Sequence, residues 1–188
     1  MTMPTTDTQR GIPRDIILLS VAFMLLFFGY VGTQNHLTTY FESLGMTHVG
    51  FVSLVILYFS LIFTSPFAPQ IIHRWNVKSC FIVSGVAYII FIVSVIFKSV
   101  NLVYLFALVL GPSAALLWNC QNIYLVQRSE RGTYGKNSGI FQVLHTVGAA
   151  GGLILMSFLI PLLGFRIPFL ILAVVSGFGL VILALVKP

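Results

Sequence analysis

The run "IILLSVAFMLLFFGYVG" at residues 16–32 contains no charged side chain, and the segment continues without an acidic, lysine or arginine side chain through a more polar stretch to residue 41. A helix rises about 1.5 Å per residue, so about 20 apolar residues cross a hydrocarbon core of about 30 Å. Arg10 and Arg14 precede the run, as basic residues precede the apolar region of a secretory signal peptide. The apolar segment is too long for that role, and five similar segments follow it. We therefore predict an uncleaved first transmembrane span.

The remainder of the chain divides at polar breaks into segments of the same kind, at residues 48–72, 77–96, 100–125, 138–160 and 165–186. Hydrophobic residues make up 58% of the 188 residues and charged residues only 7%, and the mean hydropathy is +1.02. A soluble chain needs more polar surface to cover its core. The sequence predicts an all-α integral membrane protein, with a short polar tail at residues 1–15 and six transmembrane helices within residues 16–187.

The basic residues predict the orientation of these helices. One side of the membrane receives most of them, namely Arg10, Arg14, Arg74, Lys78, Arg128, Arg131, Lys136 and Lys187. Only Lys98 and Arg166 fall on the other side. The positive-inside rule then places both termini of this multi-pass protein in the cytoplasm. The sequence shows no retention or peroxisomal signal, so the expected location is the cell-surface or an endolysosomal membrane. The net charge of +6 is spread singly between apolar blocks, which argues against a nucleic-acid partner and leaves the lipid bilayer as the expected surroundings.

The carboxylates argue against enzymatic chemistry. The chain has four, Asp7, Asp15, Glu42 and Glu130, and each lies in a tail, a loop or a helix end. No carboxylate pair, metal-ligand cluster, phosphate-binding glycine loop or supported nucleophile can be assembled. We expect a protein that is not an enzyme and that uses no cofactor or metal. Proton-driven carriers usually bury an acid or a histidine in the membrane, and here only His36 and His145 qualify.

Buried polar residues are the candidate functional residues. Two Gln-Asn pairs stand out, in "GTQNHL" at 32–37 and "WNCQNIYL" at 118–125, and the fifth segment adds a stripe of small and polar residues. The candidate cavity-lining residues are Gln34, Asn35, His36, Trp118, Asn119, Gln121, Asn122, Tyr124, Gln142 and His145. Amides also serve as ordinary contacts between helices, worth about 0.6 kcal/mol each. Packing remains the simpler explanation for most single residues, His145 is open to either interpretation, and the three amides in one turn at 119–122 favour a cavity.

Several stretches together carry a family resemblance. "TQNHLTTYFESLGMTHVGFVSLVILYFSLIFTSPFAP" at 33–69, "GPSAALLWNCQNIYL" at 111–125 and "GKNSGIF" at 135–141 resemble helices one, two, four and five of the Unc-ninety-three-like branch of the major facilitator superfamily. The resemblance implies a six-helix half built from 3+3 inverted repeats, here about 16–96 and 100–187. The chain would then be a fragment lacking a C-terminal half, or would pair with a second copy.

The loop after the second segment departs from the superfamily pattern. In "PQIIHRWNVK" at 69–78, Pro69, His73 and Asn76 stand where the pattern has Gly, Asp and Gly. Arg74 and Lys78 remain as the remnant of the signature. The acid that would brace contacts between the two halves is therefore missing.

Two functions follow from the resemblance. One is a transporter-like body that moves a small solute or ion without an evident proton-coupling acid. The other is a non-transporting regulatory or trafficking partner of a channel or receptor, because members of this branch act on potassium channels and innate immune receptors. Under inverted repeats, Gln34 and Gln121 would occupy mirrored positions on opposite sides of the membrane midplane.

Overall fold

The computed structural model describes residues 13–130 and 132–187. Arg10, Arg131 and most of the predicted tail lie outside the described residues. The helices are α1 (Arg14–Ser43), α2 (Val49–Thr64), α3 (Ala68–Trp75), α4 (Val77–Ile96), α5 (Val100–Arg128), α6 (Tyr134–Leu163) and α7 (Arg166–Leu185). A short 3₁₀ turn at Ser65–Phe67 joins α2 to α3, so these form one span, Val49–Trp75. The described residues thus contain six helical spans long and apolar enough to cross a membrane, which confirms the all-α prediction.

The helix ends differ from the predicted segments where polar residues extend a helix. α1 begins at Arg14, directly after Pro13, so Arg14 and Asp15 belong to the helix rather than to the tail. A carboxylate in the first turn is favourable there because the helix N-terminus carries partial positive charge. α5 continues to Arg128, and α6 starts at Tyr134. Backbone hydrogen bonding continues past the apolar core, which is why a boundary drawn from hydropathy falls short.

Helix contacts arrange the spans into two interlocking sets. α1 packs mainly against α6 and α7, α5 packs mainly against α2 and α4, and α4 packs against α7. Exchanging the first three spans with the last three converts the α1–α6 and α1–α7 pairs into the α5–α2 and α5–α4 pairs, and it leaves the α4–α7 pair unchanged. The short turns make successive spans antiparallel, so α1 and α5 run in opposite directions. This is the contact pattern of 3+3 inverted repeats, as in a major-facilitator-type half.

Glycines permit close helix contacts in both sets, and Gly152 and Gly111 are examples. A Cβ on Gly152 of α6 would collide with the backbone oxygen of Phe28 in α1. A Cβ on Gly111 of α5 would collide with Ser60 Oγ and with the backbone oxygen of Leu57 in α2. Small residues let helix backbones approach closely in membranes, where packing replaces the hydrophobic effect as the cause of association. α5 also runs through Pro112 as one continuous helix.

Candidate functional site

Three aromatic rings from three helices meet in the middle of the bundle. The ring centroids of Phe27 (α1) and His145 (α6) lie 4.5 Å apart, and those of Trp118 (α5) and His145 lie 5.2 Å apart. The Phe27 and Trp118 centroids are separated by 5.3 Å. We call Phe27, Trp118 and His145 the aromatic cluster. These separations are those of directly packed rings, so the cluster closes the space between α1, α5 and α6.

Amide side chains lie on both sides of the aromatic cluster. The proximal end of the bundle is the end where α1 begins, and the distal end is where α1 ends. Gln34 lies seven residues after Phe27 on nearly the same face of α1, about 10 Å further toward the distal end. Asn122 lies one turn after Trp118 in the antiparallel α5, and Gln142 lies just before His145 in α6. Both are exposed and lie toward the proximal end.

Several polar atoms near the aromatic cluster are buried and make no hydrogen bond to a described residue. Both side-chain amide atoms of Gln34, both ring nitrogens of His145 and Thr33 Oγ1 are buried and have no hydrogen-bond partner among the described residues. A buried polar group without a partner costs about 1–3 kcal/mol. The bundle therefore contains donors and acceptors, along the α1 and α6 faces, that a water or a solute would satisfy.

Three other predicted residues are satisfied by their own helices. Asn35 donates to the Val31 carbonyl over 2.9 Å, and Asn119 donates to the Ala115 carbonyl over 2.8 Å. His36 Nδ1 lies 2.9 Å from the Gly32 carbonyl, which accepts its hydrogen. These side chains fold back along their helices. The structure does not bring them together with the aromatic cluster, and their role as cavity residues stays a prediction.

Gln121 and Tyr124 are buried near the proximal end. They are 4% and 2% exposed. The Tyr124 ring packs 6.1 Å from Phe81, and the Arg128 guanidinium carbon lies 5.3 Å from its centroid. Tyr124 also lines a cavity of about 440 Å³ between α3, α4 and α5.

The remnant of the loop signature lies at the same end. Arg74 is exposed in the last turn of α3, and Lys78 is half-buried in the first turn of α4. His73 and Asn76 line the same cavity of about 440 Å³ as Tyr124. Asn76 has φ +67°, a conformation that glycine adopts more readily than other residues, which accounts for glycine in the superfamily pattern.

Sequence reasoning missed two features of this region. Phe27 was absent from the candidate residues because one phenylalanine in an apolar helix carries no signal of its own. Its place on the same helical face as Gln34 was the available clue. The second feature is the ion pair between Asp15 at the start of α1 and Arg128 at the end of α5, with 3.6 Å between Oδ2 and the guanidinium nitrogen. No sequence spacing predicts a pairing between such distant helix ends.

The bundle and its polar faces define a polytopic membrane protein with the helix pairing of a major-facilitator half. Residues 45–187 match the family model described as "Ion channel regulatory protein UNC-93". The match covers most of the chain, and the chain belongs to the UNC-93 family.

Individual relatives agree with this assignment. UNC93-like protein MFSD11 of Xenopus laevis is 30% identical over 133 residues, covering 69% of this chain and 30% of that protein. UNC93-like protein 3 of Arabidopsis thaliana is 30% identical over 128 residues, covering 67% of the chain and 26% of that protein. The putative potassium channel regulatory protein unc-93 of Caenorhabditis elegans is 30% identical over 124 residues, covering 65% and 17%. The chain thus matches less than a third of the length of each of these relatives.

Proposed function

We propose that the chain forms a transporter-like six-helix unit, in which α1, α5 and α6 line part of a path for a small solute or ion. The observation that carries this proposal is the aromatic cluster, with an unpartnered amide on its distal side and exposed amides on its proximal side. Aromatic side chains that pack together between two polar regions are the arrangement of a hydrophobic constriction. The unit would face a second six-helix unit, from the same polypeptide or from a second copy.

The positions of the carboxylates support a path in which no carboxylate carries protons. Within residues 13–130 and 132–187, the carboxylates are Asp15, Glu42 and Glu130, and each lies at a helix end or in a turn. His145 is the titratable side chain of the aromatic cluster. Basic residues collect at the proximal end, so we assign this end to the cytoplasm by the positive-inside rule. Gln34 then lies on the outer side of the constriction and Asn122 on the inner side.

Cysteine accessibility tests the constriction. Single cysteines replace Gln34 or Asn122 in a background in which Cys80 and Cys120 are alanine, and a membrane-impermeant thiol reagent is applied from the cytoplasmic side. We expect Asn122→Cys to react quickly and Gln34→Cys slowly. Adding Phe27→Ala should raise the rate at Gln34→Cys by about tenfold or more, because removing the ring opens the space that it fills.

The control substitution is Phe178→Ala, which removes an exposed ring from α7. It should leave both labelling rates unchanged. Slow labelling of Gln34→Cys that does not respond to Phe27→Ala would contradict a path through the aromatic cluster. Equal labelling at the two positions in the parent protein would contradict the constriction itself.

A second candidate function is regulation of an ion channel. It is favoured by the description of the matching family model and by the printed name of the Caenorhabditis elegans relative. Few residues of α6 are buried, and Gln142 places an amide on its exposed surface. Polar groups at membrane depth favour contact with protein rather than with lipid.

Photo-crosslinking tests this second function in cells that co-express a potassium channel. A crosslinking residue at Val143 of α6 should capture the channel subunit, whereas one at Val174 of α7 should not, although both positions are exposed. Capture of copies of this chain alone would contradict a channel partner. Potassium current measured with and without the chain provides the functional readout.

A further inference from the structure

A cationic cavity of about 460 Å³ opens at the distal end of the bundle. The ends of α1 and α4 and the turn between α6 and α7 enclose it. Lys98 and Arg166 line it together with Tyr40 and Ser43, and no carboxylate lies among its lining residues. Neither Lys98 nor Arg166 makes an ion pair with another described residue. This volume lies in the range of small-molecule binding sites.

The helix ends around the cavity offset part of this positive charge. α1, α4 and α6 end at the cavity, and each helix C-terminus carries about half a negative charge, while the start of α7 contributes about half a positive charge. Lys98 and Arg166 contribute two full positive charges, so the residues that line the cavity remain net positive. The cavity therefore favours an anion even after the helix ends are counted.

An apolar groove begins where the cavity ends. The groove has a volume of about 210 Å³, runs along the distal halves of α4 and α5, and is lined by Ile89, Ile90, Val93, Ser94, Phe97, Leu102 and Phe106. Phe97 lines both the groove and the cationic cavity. From Ile89 to Phe97 the helix rises about 12 Å, close to the depth of about 15 Å of one membrane leaflet.

We propose that the cavity and the groove together bind one anionic phospholipid. The phosphate lies between Lys98 and Arg166, where the Tyr40 hydroxyl can also donate a hydrogen bond, and one acyl chain lies in the groove beyond Phe97. A soluble anion would bind in the cavity but would not contact the apolar groove. Because the cavity and the groove are continuous, they favour a lipid. This site lies apart from the aromatic cluster and does not depend on the proposed function.

Native mass spectrometry of the purified chain tests the proposal with two lipids that have the same acyl chains. Phosphatidylglycerol should bind and phosphatidylcholine should bind much less. Lys98→Gln with Arg166→Gln should weaken phosphatidylglycerol binding by about 30-fold, because each basic residue near an anionic lipid contributes about 1 kcal/mol. The matched control, Arg74→Gln with Lys187→Gln, removes the same charge at the proximal end and should bind like the parent.

A second variant tests the groove without changing charge. Ile90→Trp places a large ring over the groove from a position 39% exposed, where the substitution disturbs little of the core. It should lower binding of the long-chain lipid while the melting temperature stays within a few degrees of the parent value. The proposal is overturned if Ile90→Trp binds normally, if the Lys98 and Arg166 variant binds normally, or if glycerol 3-phosphate displaces the lipid at equal concentration.

Discussion

The rings of Phe27 and His145 lie 4.5 Å apart with an interplanar angle of 72°, an edge-to-face contact between α1 and α6. The same two helices approach most closely at Gly152, which lies two turns after His145 on the same face of α6. A polar ring is thus held at the most tightly packed helix interface. Its two nitrogens have no partner among the described residues, so the contact favours packing at the expense of hydrogen bonding.

Replacing His145 with phenylalanine should therefore raise stability. The substitution keeps an aromatic ring against Phe27 and removes two buried unpartnered nitrogens, whose cost is about 1–3 kcal/mol. The melting temperature in detergent should rise by about 2–8 °C. His36→Phe is the control, because its Nδ1 already has the Gly32 carbonyl as a partner, and it should give no rise. A lower melting temperature for His145→Phe would mean that the imidazole is hydrogen-bonded in the membrane.

Two glycines of α6 should respond oppositely to alanine. Gly152→Ala places a Cβ against the backbone of Phe28 and should destabilise the protein by about 1–3 kcal/mol, because α1 and α6 must separate. Gly139→Ala meets no atom within 4 Å and should be neutral or stabilise α6 by about 0.5–1 kcal/mol. Thermal unfolding monitored by size-exclusion chromatography measures both. Equal effects would contradict the close α1–α6 contact.

The six spans were predictable because hydropathy depends on composition over about 20 residues, and the bilayer imposes that length. Helix ends were less predictable. The extension of α5 to Arg128 and of α1 back to Arg14 depends on backbone hydrogen bonds and on an ion pair that no local pattern indicates. The 3₁₀ turn at Ser65–Phe67 is signalled in the sequence by Pro66 and Pro69.

The candidate site was only partly predictable, for a different reason. The sequence identifies the polar residues in apolar helices. It does not show which neighbouring helix each of these side chains faces. Trp118 and His145 come together because α5 and α6 both approach α1 at Phe27. Asn119, in the same turn as Trp118, instead bonds to its own helix. Rotation of about 100° between adjacent residues separates these two outcomes.

The ion pair between Asp15 and Arg128 should contribute modestly to stability. Both side chains are partly exposed, 23% and 34% respectively, so Asp15→Asn should cost about 0.2–1 kcal/mol. The cost should shrink in high salt, because exposed charges are screened. Glu42→Gln removes the same charge at the other end of α1 and should have no such salt-dependent effect. A large loss for Asp15→Asn that does not change with salt would indicate a buried pair instead.

Asn76 should tolerate glycine better than alanine. Its φ of +67° and ψ of +158° lie in a region that alanine adopts only with strain of about 1–3 kcal/mol. Its Oδ1 also accepts a hydrogen bond from the backbone N–H of Ser79 over 2.9 Å at the start of α4. Asn76→Gly loses that cap, at a cost of a few tenths of a kcal/mol, but adopts the backbone conformation freely.

Asn76→Ala loses the cap and gains the strain, so its melting temperature should be the lower of the two by several degrees. Val77→Ala, at the next position, controls for a general effect of shortening a side chain in this turn. If Asn76→Ala and Asn76→Gly unfold at the same temperature, the turn between α3 and α4 does not hold a left-handed residue in the membrane-embedded protein. The glycine of the superfamily pattern at this position would then need another explanation.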